Sequence, residues 1–551
     1  MGKAGQERPE EGRGLTQHVM TRTAFLKGSG VALAGAAAIG VLGACSPQEA
    51  KRDASGDDEG SGAAASAEIG LAESFDAASA RYDVDLVVVG SGAAGISAAV
   101  QAGQEGGSAL LVEVADALGG STAFAEGLMG LRSKYQLNNG IDFDIEEELL
   151  ADVEFSRYVA SQPLLKRFFG QADEDIEWLE SNGVEFHPEP NPHSPTQVFY
   201  VGQGKTMVAT MADRARESGI ELLTGTRAKR LHLDGGKVAG LIVEDGEGEY
   251  PIRTKAVILA TGGFINNEEI FDETFPFDYG RIKVTAAPHH QGDGRVMAWA
   301  AGADDAAVHS YGWTWCGLKN FDIHSQLSTA ACNEPFFWVN QTGKRFIPES
   351  LVIRFSTVPY AVIQQQRPFS ILTQQEVDRL MEEGCTVGWG SYIFAGEKLT
   401  DLQSELDAAK AAMPEGFYYA DSLAALAAEL DIAEGALAAT VAEYNAMVAA
   451  GEDTEFHKPA QYLRAVSEEG PFYAFELQPN MLTTHGGLVV NDQCEVVDSS
   501  GTRIDGLYGA GVDCSGYTGF YYNDLHGGCT QAFSVFSGRT AASNALAYAA
   551  A

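Results

Sequence analysis

The strongest pattern in this chain is a short apolar run that ends in a glycine-rich turn. Residues 85–89 read DLVVV, which is typical of a strand buried on both faces of a parallel sheet. An alanine-rich stretch through Ala102 then predicts a helix, and a second apolar run occupies residues 109–112. A strand, a turn, a helix and a strand in this order predict a Rossmann-like α/β unit.

The turn has the glycine spacing of a nucleotide-binding loop, because residues 90–95 read GSGAAG. Gly90 permits a tight turn, Gly92 lets the backbone approach a pyrophosphate, and Gly95 allows the helix to pack closely on the strand. Ala94 lies where the helix begins, and the positive end of that helix faces the phosphates. Glu113 follows the second strand and is placed to accept hydrogen bonds from ribose hydroxyls. The motif predicts a dinucleotide site but does not separate FAD from NAD.

Three further glycine-rich segments favour FAD. Residues 119–122 read GGST, residues 255–263 read KAVILATGG, and residues 506–513 read GLYGAGVD. In order and spacing these segments resemble the FAD-binding half of the fumarate reductase/succinate dehydrogenase flavoprotein family. The likeness covers residues 83–550, which is nearly the whole chain after its N-terminal segment.

This resemblance implies FAD as the cofactor and assigns its contacts. Glu113 would hold the adenosine ribose, and Asp513 would hold the ribityl chain. Ser121 and Thr122 would lie near the flavin. The full set of candidate cofactor contacts is Gly90, Gly92, Ala94, Gly95, Glu113, Gly119, Gly120, Ser121, Thr122, Gly127, Ala228, Ala260, Thr261, Gly262, Asp293, Gly511 and Asp513.

The region between the two nucleotide-binding segments has a different pattern. Residues 307–470 are first rich in aromatic side chains, and residues 423–430 and 437–447 then show apolar positions at helical spacing. By the resemblance this region is a capping domain that closes over the flavin. We therefore expect a discontinuous Rossmann-like FAD-binding domain of α/β class, formed by residues 81–306 and 471–551, with an inserted α+β capping domain.

The N-terminal segment predicts export. Residues 28–44 form a short apolar run after Arg22 and Lys27, and the run ends in LGA before Cys45. This pattern is typical of a lipoprotein signal in residues 1–45, with lipidation at Cys45. Residues 46–80 are rich in Ala, Gly, Ser, Asp and Glu, and predict a flexible tether. We expect an exported protein that is lipid-anchored on the outer face of the cytoplasmic membrane.

Net charge and cysteine content limit the kinds of partner and cofactor that the protein is expected to bind. The 551 residues carry a formal net charge of -39, which argues against a nucleic-acid partner. The seven cysteines show no C-x-x-C spacing, so covalent haem is excluded and electrons are expected from a separate membrane-bound cytochrome. The resemblance adds a 4Fe–4S cluster as an alternative role for the dispersed cysteines, against the default of ordinary buried thiols.

The resemblance fails at the residues that bind substrate. Family members clamp a dicarboxylate with a His before a Thr-x-Gly-Gly turn and an Arg near the C-terminal Gly-Gly pair. Here Thr483 stands at the His position and Asp524 at the Arg position. An Asp would repel a substrate carboxylate, so we expect a neutral substrate. Asn333 and His485 are the other candidate substrate contacts.

Candidate proton donors lie in two places. Glu349 and Arg354 resemble the proton path of the family, although their spacing differs from the usual one. The C-terminal loop offers three more candidates, because a Tyr or His can protonate a carbanion: Tyr521, Tyr522 and His526. Stacking of the two tyrosines on flavin or ligand is the alternative.

A neutral conjugated lactone or enone is the expected substrate, and its C=C bond would be saturated. The chain is similar to family members that reduce the butenolide lactone of cardiac glycosides such as digoxin. The alternatives are a 3-ketosteroid dehydrogenase and a fumarate-reductase-like dicarboxylate reductase. A solute-binding lipoprotein is the alternative outside enzymes, and such a protein would lack flavin.

Overall fold

A computed structural model describes residues 69–551. The predicted signal, Cys45 and the tether up to residue 68 lie outside the described residues. Within the described part, no helix has both the length and the apolar composition that a bilayer crossing requires.

The larger of the two main sheets confirms the Rossmann-like prediction. Its parallel part has the strand order β6-β3-β2-β9-β17, with Val87 of β2 opposite Val257 of β9. The other strands of this sheet are β1, β7, β8 and β16. The strands of the chain up to β9 are β1 (Gly70–Leu71), β2 (Tyr82–Val89), β3 (Ala109–Val112), β4 (Gly127–Met129), β5 (Gln197–Phe199), β6 (Glu221–Leu223), β7 (Arg227–Asp234), β8 (Lys237–Asp245) and β9 (Gly248–Leu259).

The second main sheet forms the cap around one long strand. β15 pairs antiparallel with β11, β13 and β14, and parallel with β10, while β12 pairs with β13. The remaining strands are β10 (Lys283–Val284), β11 (Ser310–Leu318), β12 (Trp338–Val339), β13 (Phe369–Thr373), β14 (Phe417–Ala420), β15 (Phe472–His485), β16 (Glu495–Val497) and β17 (Arg503–Gly509).

Helices cover both sheets. The α-helices are α1 (Ala93–Gln104), α2 (Lys134–Asn138), α3 (Ile145–Phe155), α4 (Gln162–Gly170), α5 (Ala172–Ser181), α6 (Gln203–Glu217), α7 (Glu268–Thr274), α8 (Asp293–Ala300), α9 (Gln326–Ser328), α10 (Val358–Ile363), α11 (Gln374–Glu382), α12 (Leu402–Ala412), α13 (Leu423–Glu429), α14 (Ala436–Ala450) and α15 (Cys529–Ala550). Short 3₁₀ segments include Gly120–Phe124, Glu349–Ile353 and Gly511–Asp513.

The C-terminal helix closes the nucleotide-binding domain. α15 packs against α1 at a point of close backbone approach, because a Cβ on Gly538 would lie 2.1 Å from the carbonyl oxygen of Ala94. Phe533 and Phe536 of α15 are fully buried in the same apolar core as β2 and β3. This packing explains why the second part of the FAD-binding domain comes from the end of the chain.

The structure corrects two of the predicted domain boundaries. Residues 69–80 are not tether, because β1 pairs with β7 at Gly70 and Arg230 and so belongs to the main sheet. The cap also extends past residue 470. β15 begins in the core of the cap at Phe472 and reaches the core of the FAD-binding domain at Met481.

Candidate active site

A cavity of about 820 Å³ lies at the carboxyl ends of β2, β9 and β17 and continues beneath the cap. Ligands of open α/β sheets bind at this edge. One end of the cavity is lined by residues 90–94 and Glu113, and the other end by Trp389 and Tyr522. The end with Glu113 is the cofactor end of the cavity, and the end with Trp389 and Tyr522 is the substrate end.

The glycines of the first turn have separate roles. Gly90 has a φ of 102°, and a Cβ there would lie 2.2 Å from the carbonyl oxygen of Ala260. A Cβ on Gly95 would lie 1.9 Å from the carbonyl oxygen of Gly90. A Cβ on Gly92 would meet nothing nearer than Thr122 Oγ1 at 3.5 Å. Gly90 and Gly95 therefore allow close packing, whereas Gly92 keeps the cavity wall clear for a ligand.

Glu113 is fixed at the cofactor end by its own neighbours. Its Oε2 accepts hydrogen bonds from Ser91 N at 2.9 Å and Ser91 Oγ at 2.6 Å, and its Oε1 accepts one from Ala115 N at 2.8 Å. Ser91 Oγ in turn accepts a hydrogen bond from Gly119 N at 2.9 Å. The carboxylate is thus held rigidly in the wall where the sequence placed the ribose.

The predicted flavin contacts Ser121 and Thr122 hydrogen-bond to neighbouring segments of the cavity wall. Thr122 Oγ1 accepts a hydrogen bond from Ala93 N at 2.8 Å, and Ser121 Oγ accepts one from Ala287 N at 2.8 Å. His290 Nε2 lies 3.4 Å from Ser121 Oγ. Burial lowers the pKa of His290 to about 4, so its ring is neutral, and its buried Nδ1 has no hydrogen-bond partner within residues 69–551. A buried, unpaired nitrogen in the wall fits a site completed by a ligand.

Two predicted acidic contacts of the cofactor, Asp513 and Asp293, lie outside the cavity wall. The carboxylate of Asp513 is buried and accepts hydrogen bonds from Thr261 Oγ1 at 2.9 Å and Gly263 N at 2.9 Å, and burial raises its pKa. Asp293 forms a bidentate ion pair with Arg227 at 2.8 and 3.0 Å. Both aspartates are bonded to protein groups, and Asp513 fixes the turn at residues 261–263. Their contacts with FAD stay predictions.

Most of the other predicted cofactor contacts lie in the wall, namely Gly90, Gly92, Ala94, Glu113, Gly120, Ser121, Thr122, Gly127, Ala260, Thr261, Gly262 and Gly511. Gly95, Gly119 and Ala228 lie behind it. The first turns of α1 and α15 also contribute to the wall, through Ala94 and Thr530. Helix amino ends favour negative charge, and this suits a pyrophosphate at one position and an anionic reduced flavin at the other.

The substrate end contains an ion pair that the sequence did not predict. Arg354 Nε donates to Asp524 Oδ2 at 3.0 Å, and Arg354 Nη2 donates to Oδ1 at 2.8 Å. Thr357 Oγ1 donates to Oδ2 at 2.9 Å. The hydrogen bond to Asp524 raises the pKa of Arg354, so the guanidinium stays charged and occupied.

Aromatic side chains form much of the remaining wall at this end. The aromatic wall consists of Trp315, Phe355, Trp389 and Tyr522. Trp315 lies 5.6 Å from Phe355 and 6.0 Å from Trp389 between ring centroids, and Phe355 lies 5.7 Å from Tyr522. Trp315 has a φ of 32° at a bulge in β11, and its Nε1 donates to Val352 O at 3.0 Å. A flat conjugated ligand can stack against such a surface.

Of the other candidates from the sequence, Thr483 and Tyr522 lie in the cavity wall. Thr483 Oγ1 donates to Thr484 O at 3.0 Å and brings no charge. Burial raises the pKa of Tyr522 to about 12, so its hydroxyl keeps its proton at neutral pH. Tyr521 lies outside the wall, 49% exposed and packed on Tyr360.

Four other predicted residues lie outside the cavity wall. Glu349 is buried in the cap and accepts hydrogen bonds from Arg345 at 2.9 and 2.8 Å. His526 is held by carboxylates of α3, with Glu148 at 2.8 Å.

His485 bonds to Tyr517, and burial lowers its pKa to about 3. Asn333 Nδ2 donates to Gly388 O at 3.4 Å. These contacts hold all four side chains within the protein and outside the cavity wall.

The structure does not bring the cysteines into a cluster site. Within residues 69–551 no group of three or more His, Cys, Asp or Glu side chains is arranged to hold a metal ion. The six cysteines of this region are buried free thiols. The iron–sulfur expectation therefore has no site in the described part of the chain.

Glu126 is a residue of the wall that sequence reasoning missed. It lies at the substrate end, between the turn Gly120–Phe124 and β4, and it receives a hydrogen bond from Ser391 N of the cap at 3.1 Å. Burial raises its pKa to about 7. Its signal in the sequence is weak but present, because Glu126 is the only charged residue between Asp116 and Arg132.

Together, the Rossmann-like sheet, the glycine turn, the rigid Glu113 and the cavity beneath the cap define an FAD-dependent oxidoreductase. The FAD binding domain model matches residues 85–528, and the chain belongs to that family. This membership excludes the solute-binding alternative, because the chain is an enzyme with a flavin cofactor.

Three known proteins illustrate the relationship. The chain is 34% identical to a vinyl phenol reductase of Lactiplantibacillus plantarum, over 85% of this chain and 98% of that protein. It is 29% identical to a fumarate reductase (cytochrome) of Shewanella frigidimarina, over 86% and 78% of the two chains. The open conformation of a flavocytochrome c3 fumarate reductase superimposes with a TM-score of 0.67 at 25% identity, over 86% of this chain and 80% of that one.

Proposed function

We propose that the protein reduces the C=C bond of a neutral conjugated substrate with reduced FAD. The observation that carries this proposal is the Arg354–Asp524 ion pair, because it neutralises a cation in the cavity wall. Thr483 leaves a second position of the wall uncharged. A dicarboxylate needs a cationic partner for each carboxylate, and charge-assisted hydrogen bonds of this kind contribute about 1.5–3 kcal/mol each.

Bound FAD, once reduced, supplies a hydride to one carbon of the alkene. The chain would hold FAD with Gly92, Glu113, Ser121, Thr122 and the amino ends of α1 and α15. The aromatic wall orients a flat substrate and excludes water. Tyr522 keeps a proton in the wall and is our candidate donor to the second carbon. Arg354 holds the Asp524 carboxylate away from the substrate.

Three neutral substrate classes are candidates for this aromatic wall. A hydroxyaryl alkene is favoured by the aromatic side chains and by the relative that is named a vinyl phenol reductase. A butenolide lactone of a cardiac glycoside, such as digoxin, is the class that the sequence resemblance suggests. A 3-ketosteroid is the third class to test. We favour the hydroxyaryl alkene, because stacking rewards a planar aromatic ring more than a saturated steroid skeleton.

A single-turnover assay tests the substrate class. Dithionite-reduced holoenzyme is mixed anaerobically with 4-vinylphenol, a butenolide glycoside, a 3-ketosteroid and fumarate, and flavin reoxidation is followed by stopped flow. We expect rapid reoxidation by at least one neutral compound and slow reoxidation by fumarate. Loss of two charged contacts corresponds to roughly two to four orders of magnitude in affinity. Rapid reoxidation by fumarate alone would sink the proposal.

We also propose that the protein is exported, anchored through a lipid on Cys45 and reduced by a membrane-bound cytochrome. The apolar segment before Cys45 and the absence of a C-x-x-C-H haem motif in the sequence support this. The full-length protein is expressed in its native host and separated into membrane and soluble fractions. Cys45→Ala should move it to the soluble fraction, and unchanged fractionation would contradict the anchor.

A further inference from the structure

The substrate end of the cavity contains a carboxyl group without a cationic partner. Glu126 is held on the FAD-binding domain, because its backbone carbonyl accepts a hydrogen bond from Tyr200 N at 2.9 Å. The carbonyl of Ala125 accepts another from Gly204 N at 2.7 Å. These bonds fix the backbone from which the side chain enters the cavity wall.

The contacts of Glu126 leave its charge unbalanced. Within residues 69–551 the carboxylate accepts one hydrogen bond, from Ser391 N to Oε2, and forms no ion pair. The titratable groups that face it are Tyr392 of the cap and Tyr522 of the C-terminal loop. Burial raises the pKa of both tyrosines, and the charge of Glu126 adds to each shift. Asp524, in the same wall, is balanced by Arg354. A half-buried carboxyl group that lines a cavity and has no cation beside it is a candidate for contact with a ligand that supplies the missing donor.

The cap is shaped to admit this carboxyl group next to the aromatic wall. Gly390 has a φ of 49°, and a Cβ there would lie 1.5 Å from Glu126 Oε2. Glycine is therefore required at this position if the carboxylate is to reach Ser391 N. Trp389 of the aromatic wall precedes Gly390 in the chain, and both residues line the same cavity as Glu126.

We propose that Glu126 is the catalytic base and the specificity determinant that accepts the hydroxyl proton of a hydroxyaryl alkene. The inference rests on the proposed function and names the substrate class of the same site. It assigns the aromatic ring to Trp315, Phe355, Trp389 and Tyr522, and the hydroxyl group to Glu126. A site built to bind a hydroxyl group rejects an analogue that lacks it, because the bound analogue covers the carboxylate and leaves it unpaired.

The chemistry of a vinylphenol gives this base a direct role. The phenolic O–H bond breaks and its proton goes to the Glu126 carboxylate. The electron pair left on oxygen is delocalised through the ring to the terminal vinyl carbon, which takes a proton from an acid of the site. The benzylic carbon of the resulting quinone methide accepts the hydride that the reduced flavin provides. The phenolate then regains the proton held by Glu126, so the net addition is one hydride and one proton across the C=C bond.

Binding to the oxidised holoenzyme tests the hydroxyl contact without turnover. The probes are 4-ethylphenol and 4-ethylanisole, which differ in the hydroxyl proton, and the perturbation of the flavin spectrum gives each Kd. We expect wild type to bind the phenol on the order of ten- to a hundredfold more tightly than the ether. Glu126→Gln should reduce this preference to a few-fold at most, because an amide is a weaker acceptor than a carboxylate.

Steady-state kinetics tests the role as base. Glu126→Gln should lower kcat for 4-vinylphenol by roughly a hundredfold or more, with a smaller change in KM. Glu126→Asp should restore part of the loss. Reduction of 4-methoxystyrene, which has no hydroxyl proton, should be slow and equal in wild type and variant.

Glu397→Gln is the matched control. Glu397 Oε2 accepts a hydrogen bond from Phe394 N at 3.1 Å in the same cap loop, but the residue is exposed and lies outside the cavity wall. Its substitution should leave binding and kinetics unchanged. Flavin content and Tm are measured for Glu126→Gln, Glu126→Asp and Glu397→Gln. If Glu126→Gln loses flavin or stability, Glu126→Asp takes its place in the comparison with wild type.

The outcomes separate the two proposals. If wild type reduces 4-vinylphenol but binds the phenol and the ether equally, the role of Glu126 is wrong while the proposed function stands. The same holds if Glu126→Gln keeps the full preference and kcat. If wild type reduces none of the neutral alkenes but prefers the phenol in a manner that depends on Glu126, the hydroxyl contact stands and the proposed function fails.

Discussion

Arg354 and Asp524 form a bidentate ion pair, with distances of 3.0 and 2.8 Å, across the boundary between the cap and the C-terminal loop. Asp524 is almost fully buried, whereas Arg354 is half exposed. The pair balances both charges at this position of the cavity wall. On the proposed function, Asp524 controls the charge of the substrate that the site accepts.

We expect Asp524→Asn to relax the selection against anions. The substitution frees Arg354 to bind a substrate carboxylate, and one such contact contributes about 1.5–3 kcal/mol, or roughly tenfold or more in affinity. The KM for acrylate should fall by about this factor, while fumarate should stay a poor substrate because Thr483 offers no second cation. Thr357→Val is the control, since it removes one hydrogen bond to Asp524 and keeps the ion pair. An unchanged KM for acrylate in Asp524→Asn would contradict the charge argument.

Substitutions of two glycines should separate cofactor binding from folding. Gly92→Val adds a side chain at the cavity wall whose Cβ comes no nearer to the protein than 3.5 Å, so the protein should fold but purify without flavin. Gly95→Val forces a side chain against the carbonyl oxygen of Gly90, so the protein should lose stability as a whole. Circular dichroism and visible absorbance of the purified variants distinguish these results. A yellow Gly92→Val protein would show that the pyrophosphate lies elsewhere.

Glu349 should matter for stability and not for proton transfer. It is fully buried with Arg345 and Lys458, at 2.8 and 3.3 Å. Glu349→Gln leaves part of this buried positive charge unbalanced, and such changes cost about 3–5 kcal/mol in the free energy of unfolding. Glu443→Gln breaks the exposed pair with Lys344 and should cost about 0–1 kcal/mol. Denaturant unfolding measures both, and the pH profile of kcat in a Glu349→Gln enzyme that still folds should match that of wild type.

His526 should make stability depend on pH. Burial opposes its protonation, but hydrogen bonds and charge from Asp152 and Glu148 outweigh burial and raise the pKa of His526 above its ordinary value. A raised folded-state pKa contributes stability that is full below the unfolded pKa of about 6.5 and is lost as the pH rises through the folded value. The free energy of unfolding of wild type should therefore fall as the pH rises above about 6.5, and His526→Asn should flatten that decline. Parallel curves for the two proteins would rule out this contribution.

The nucleotide-binding half of the protein was predictable because its signals are local. An apolar strand, a glycine turn and a helix follow one another within residues 85–104, and the steric need for glycine at Gly90 and Gly95 appears directly in the sequence. The family resemblance then identified FAD and the inserted cap. The boundary at β15 was missed because one continuous strand serves two cores, and no change of pattern marks that transition.

The amino-acid sequence by itself determined the Rossmann-like unit and the cofactor class, since each depends on residue type at a fixed spacing. Only the tertiary structure decided how the charged side chains are used. Arg354 and Asp524 are far apart in the chain and meet only when the cap docks, and His526 finds its carboxylates on α3 in the same way. In the part of the chain from residue 69 onward, the fold brings Glu126 a backbone N–H from the cap and no basic side chain, so its carboxylate has no cation there. Charge pairing depends on distance in space, and distance in space is set by packing that no local pattern contains.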